Sequence, residues 1–140
     1  MHTQEMMRAH PQLRGNIDDA LIRCIEECYD CTQSCVACAD ASLGEKELAD
    51  MLQSIRLCTD CADVCAATGA IATRCSGSDE TVIRVMLEAC TTTCAVCAEE
   101  CEKHAKMHEH HRICAEACRS CEEACRKAMQ SIPPMRSMAH

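Results

Sequence analysis

The chain has 140 residues, a formal charge of −8, 17 Cys, 9 Met, one Tyr and neither Phe nor Trp. That length suits a single domain with a single core, but the usual aromatic filling is missing, so Ala, Met and Cys must supply much of the interior. Lys and Arg are scattered among acids, which excludes the basic footprint of a nucleic-acid binder and argues against an anionic membrane surface.

The opening segment, MHTQEMMRAHPQLRG, has no apolar signal core and no twin arginine, so a cytoplasmic location is expected. A short helix is predicted over residues 3–9, where Met6, Met7 and His10 pack more readily than they carry metal. A first long helix is predicted over 16–42, with Asp18 and Asp19 at its N-terminus after Gly15-Asn16. It carries CIEECYDCTQSCVAC, in which Cys24, Cys28, Cys31, Cys35 and Cys38 are spaced 4, 3, 4 and 3 apart. Gly44 separates it from a second helix over 45–75, with Cys58, Cys61 and Cys65 spaced 3 and 4 and Cys75 ten further on.

The stretch CSGSDE then supplies Gly77 as a stop, Ser78 as an N-cap and two first-turn acids. The third helix, 79–105, holds Cys90, Cys94, Cys97 and Cys101, spaced 4, 3 and 4. The stripe resets within KHAKMHEHH, and a fourth helix, 109–131, holds Cys114, Cys118, Cys121 and Cys125 at the same spacing. Pro133-Pro134 ends it, and the tail 132–140 is expected to be mobile. No uninterrupted run of 18 apolar residues occurs, so no membrane-spanning helix is expected. The pairs Glu99/Lys103, Glu102/Lys106, Glu122/Arg126 and Glu123/Lys127 are read as solvated helix faces.

Residues three and four apart share one helix face, so each segment is a helix with a cysteine stripe at core positions. Short connections make sequential helices antiparallel. The expected fold is all-α: an up-down-up-down four-helix bundle over about 16–131, within one domain spanning 1–140, preceded by a short segment 1–15. All stripes face one axis, and from Cys24 to Cys38 alone the thiol column rises about 21 Å.

Cysteine packs like a small hydrophobe, but Leu would bury more area at each seam position and would not oxidise. Disulfides within a helix do not fit, because neighbours at i,i+3 or i,i+4 have Cβ atoms about 5–6 Å apart against the roughly 3.5–4.5 Å a bridge needs. Metal binding does fit. Cu(I) prefers soft thiolates, and one monovalent ion per thiolate is charge-neutral in a dry core. Zn²⁺ held by four thiolates would leave surplus negative charge at every site, and iron–sulfur clusters usually draw cysteines from loops. Zinc storage and iron–sulfur electron transfer remain as alternatives. A thiol redox enzyme would need one privileged cysteine, which regular repetition does not provide.

The two ends of the tube should differ. Ile17, Leu21, Ala72, Ile83, Leu87 and Ile132, with Met86 and Met129, form an apolar plug at one end. The other collects Met51, His104, Met107, His108 and His111, which include usable copper ligands and mark the expected metal entrance. His104 and His111 continue the cysteine stripes and are preferred over His110. Tyr29 lies off the sulfur seam and is expected to pack between helices or at a subunit contact.

Four in-phase stripes built on C-x₃-C-x₂-C-x₃-C resemble the bacterial copper storage proteins over about residues 16–131. The resemblance implies storage of many Cu(I) ions per bundle, homotetramers, and a cytosolic branch whose mouth is rich in His, matching His104, His108 and His111. The expected protein binds copper and is not an enzyme; a copper chaperone or a small thiol is its expected donor. Cys75 departs from the pattern, with Thr68 and Ala72 at the intervening seam positions.

Overall fold

A computed structural model describes residues 1–74 and 79–132. The expected mobile tail, the Ser78 cap, the Gly77 stop and Cys75 therefore lie outside the described residues, apart from Ile132. Those described form five α-helices: α1 (Thr3–Ala9), α2 (Asp19–Leu43), α3 (Leu52–Thr73), α4 (Glu80–His104) and α5 (Glu109–Ser131).

Each long helix begins and ends for a local reason. Asp18 caps α2, its carboxylate accepting from the N–H groups of Ala20 at 2.9 Å and Leu21 at 3.3 Å. Gly44 closes α2, its N–H returning to the carbonyl of Ala41 at 3.0 Å. The N-cap of α4 is Asp79, where the sequence suggested Ser78 with Asp79 inside the first turn; its carboxylate accepts from Thr81 N–H at 2.7 Å. The turn between α4 and α5 needs neither Gly nor Pro, because Met107 and His108 N–H groups both reach the carbonyl of His104, at 3.2 and 3.0 Å.

α3 starts later than the sequence pattern predicts. Residues 45–51 form a connection ending in a 3-10 turn, Leu48–Met51, so the helix opens at Leu52 instead of residue 45. This turn folds Met51 into the interior.

The four long helices form a ring in which α2 and α4 each pack against both α3 and α5. α1 lies against α2, where Met7 is buried while Met6 is exposed. Tyr29 packs between α2 and α3, so close to Gly69 that a Cβ there would meet its ring at 3.1 Å. Tyr29 thus packs between helices, the first of the two roles expected for it.

α4 has an 18-residue window of mean hydropathy 1.4, apolar enough by composition to cross a bilayer. Its thiols contribute to that value, and in the bundle they turn toward the shared axis.

At the plug end, Leu21, Ala72, Ile83 and Leu87 are buried. Arg84 donates to the carbonyls of Met129 at 3.2 Å and Ile132 at 2.7 Å, satisfying acceptors that the end of α5 leaves open. The Ser131 hydroxyl donates to Asp18 at 2.6 Å, tying the end of α5 to the start of α2. On the outer faces Arg126 and Lys127 pair with Glu122 and Glu123 as expected, at 2.9 and 3.1 Å. Lys103 instead pairs with Glu100 at 3.0 Å, and Glu102 reaches across to Arg119 of α5 at 2.8 Å.

Candidate metal centre

Every cysteine among the described residues is a free thiol, and none is more than 1 % exposed. The 4-3-4 spacing turns each one inward on its helix. Across the axis the sulfurs meet at contact distance: Cys24 and Cys125 at 3.4 Å, Cys65 and Cys94 at 3.5 Å, Cys58 and Cys101 at 3.7 Å, Cys35 and Cys118 at 3.7 Å. Along a helix, Cys31 and Cys35 lie 3.8 Å apart, as do Cys61 and Cys65.

The sulfurs form overlapping quartets, each with all its Sγ atoms within 4.8 Å of one another. Cys28, Cys90, Cys121 and Cys125 form one near the plug; Cys31, Cys65, Cys94 and Cys121 form the next. Cys31, Cys35, Cys61 and Cys118 follow, then Cys35, Cys97, Cys114 and Cys118, and finally Cys38, Cys58, Cys101 and Cys114 toward the histidines. Cys31, Cys35, Cys114, Cys118 and Cys121 each belong to at least two quartets, so neighbouring donor sets overlap along the tube.

These thiols titrate as a community. Burial alone pushes a thiol up, but neighbouring S–H donors favour an individual thiolate. Donation from Cys125, then Cys28, brings Cys24 down to about 5. The same contacts raise others: Cys35 lies well above the ordinary thiol range, chiefly through Cys114 and then Cys118. The arrangement can exchange protons for soft cations along a dry, shared-ligand column.

At the open end the sulfur stripes give way to imidazole and hydroxyl. Ser42 lies four residues beyond Cys38, Ser54 four before Cys58, His104 three beyond Cys101 and His111 three before Cys114. His111 is fully buried, its Nε2 lying 2.9 Å from Ser54 Oγ and 3.5 Å from Ser42 Oγ. Its Nδ1 is buried and has no hydrogen-bond partner among the described residues. Burial pushes this imidazole down and keeps it neutral, against the smaller opposing influence of Cys101. The rings of His104 and His110 stand 4.9 and 4.5 Å from that of His111, and His108 stands 5.7 Å away.

The structure thus brings His104, His108 and His111 together at one mouth and places Met51 in the interior at the start of α3, at the same end. Met107 is 79 % exposed at the hairpin tip. His110, which sequence reasoning ranked below its neighbours, makes the direct contact with sulfur: its Nδ1 is 3.3 Å from Cys38 Sγ. Two features escaped the sequence reading. Ser42 and Ser54 were findable, since they continue the stripes in register. Glu45, whose Oε1 lies 3.0 Å from His110 Nε2 and 3.3 Å from His108 Nδ1, belongs to no stripe and gave no signal. Its carboxyl is held below the usual range, chiefly by the hydrogen bond from His110.

The sequence profile of the copper storage protein family matches residues 17–130. The structure is similar to that of the copper storage protein Ccsp from Streptomyces lividans loaded with 10 copper equivalents. That likeness has 50 % identity and a TM-score of 0.89, covering 93 % of this chain and 99 % of that one. A structure concerning copper loading to a cytosolic copper storage protein from Streptomyces lividans, with five coppers, is 54 % identical at a TM-score of 0.80, covering 82 % of this chain and 96 % of that one. An uncharacterised cysteine-rich protein of Bacillus subtilis, YhjQ, is 36 % identical over 77 residues, which span 55 % of this chain and 68 % of that protein. With its profile match covering the whole sulfur-lined bundle, the chain belongs to the copper storage protein family.

Proposed function

We propose that this chain stores Cu(I) in bulk and thereby detoxifies it, holding many ions on thiolates inside the bundle. The observation that carries this reading is the continuous column of buried, overlapping sulfur quartets. The vessel comprises Cys24, Cys28, Cys31, Cys35, Cys38, Cys58, Cys61, Cys65, Cys75, Cys90, Cys94, Cys97, Cys101, Cys114, Cys118, Cys121 and Cys125. The capacity is on the order of one ion per thiol, because each Cu(I) that replaces a proton leaves the core neutral. The whole chain acts as one domain and performs no turnover. It works in the cytoplasm, in keeping with the cytosolic protein it resembles.

The test is an anaerobic titration of the reduced, metal-free protein with Cu(I) against a tight chelator. Retention close to the thiol count is expected; retention of only one or two ions would sink the proposal. Iron or zinc in the protein as isolated would favour the alternatives. Cys75→Ala decides the membership of that residue, through a loss of about one ion or none.

Entry is proposed at the mouth, through His104, His108 and His111 with Met51 behind them. Alanine at both His104 and His111 is expected to slow uptake while leaving capacity nearly intact, read by stopped-flow absorbance. Unchanged loading kinetics would remove the entrance from the proposal. A copper chaperone or a small-thiol complex is the proposed donor. Assembly into a homotetramer is proposed as well, with the exposed Val82, Val85 and Val96 of α4 as candidate contacts. Sedimentation checks it.

A further inference from the structure

Glu45 sits just beyond the end of α2, with its N–H held by the carbonyl of Ser42 at 3.2 Å. Its side chain crosses to the α4–α5 hairpin, where one carboxylate oxygen meets two imidazoles, His110 Nε2 at 3.0 Å and His108 Nδ1 at 3.3 Å. An ionised carboxylate can only accept hydrogen bonds, so the nitrogens facing it must carry the protons. In the neutral rings the opposite nitrogens then hold the lone pairs. For His110 that nitrogen is Nδ1, which lies 3.3 Å from Cys38 Sγ. Cys38 is a member of the sulfur quartet next to the mouth, with Cys58, Cys101 and Cys114.

We propose that Glu45 is a positioning residue for copper entry: it fixes His110 with its proton on Nε2, so that Nδ1 is presented as a donor beside the Cys38 thiol. The same oxygen fixes His108 in the opposite sense, with its proton on Nδ1 and Nε2 free to donate electrons. A metal-binding imidazole commonly gives its other N–H to a carboxylate, which sets ring orientation and raises ligand basicity. Here the carboxylate comes from a connection that carries no cysteine, 65 residues from His110 in sequence. The inference rests on the reading of this end as the copper entrance.

The test uses the full-length, nitrogen-15-labelled protein before copper is added. Long-range proton–nitrogen correlation spectra read which ring nitrogen of His110 is protonated in the wild type, E45A and E45D. The expected result is Nε2–H in the wild type, a mixture of tautomers in E45A, and partial recovery in E45D. The initial rate of Cu(I) uptake should fall about tenfold in E45A, with thermal unfolding and final copper content unchanged. A wild-type ring protonated on Nδ1, or an E45A ring and rate that match the wild type, overturns the proposal. An altered tautomer with an unaltered rate overturns the role in entry. If His104→Ala/His111→Ala also loads at the wild-type rate, the fault lies with the entrance reading, while the hold of Glu45 on the ring stands.

Discussion

At His111 a single imidazole joins packing to titration. The ring is buried, its Nε2 faces the Ser54 and Ser42 hydroxyls, and its pKa is lowered by desolvation. The Ser42 proton is already directed to the carbonyl of Cys38 at 2.8 Å, so its oxygen is left to accept. A histidine with a depressed native pKa takes up a proton more readily when unfolded, so the native state loses stability as pH falls below about 6.5. Denaturant midpoints near neutral pH and in mild acid should show this decline, and His111→Gln should flatten it. Copper affinity should fall over the same range, because every ion bound displaces protons. The shared thiols give a second prediction. Cys121→Ala, which removes a sulfur shared between neighbouring quartets, should lower copper retention more than Cys24→Ala at the plug end. Equal losses from both variants would mean that the quartets do not share ions.

At the scale of the helix, the stripes were legible in the sequence because 4-3-4 spacing of one residue type fixes both the period and the buried face. The caps were less so. Asp18, which receives N–H groups at the start of α2 and the Ser131 hydroxyl from the end of α5, couples two helix termini. Asp18→Ala should cost about 1 kcal/mol, visible as a lower denaturation midpoint with copper capacity retained. The start of α3 was misplaced because residues 45–51 contain no Pro and carry helix-compatible residues; the 3-10 turn there is set by tertiary packing of Met51. That same seven-residue departure from helix puts Glu45 within reach of the histidines. Its role was illegible because no local pattern links it to a hairpin more than sixty residues away. Glu102 was paired by periodicity with Lys106, but Arg119 on the neighbouring helix offers a planar, two-pronged partner.

For the molecule as a whole, helical contacts, caps and a core of Cys, Ala, Leu and Ile are complete without metal. The metal-free protein is therefore expected to be folded, and its far-ultraviolet circular dichroism should change little on copper addition; helicity that appears only with copper would contradict this. Bundle, sulfur axis and contrasting ends could all be foreseen from the chain, since four stripes in phase permit few other arrangements. At the mouth, Ser42 and Ser54 stand in register with the stripes, whereas Glu45 could not be foreseen, since it lies on a connection through which no stripe passes.

The neutral core beneath an acidic shell has one more consequence. Each cation that takes the place of a thiol proton adds mass in the interior and leaves the charge unaltered. Empty and laden molecules therefore present nearly the same face to the cell. Native mass spectra should march upward with loading while electrophoretic mobility barely moves. The protein carries no outward gauge of its contents, so a partner that must tell full from empty has only the ring of imidazoles at the mouth to read.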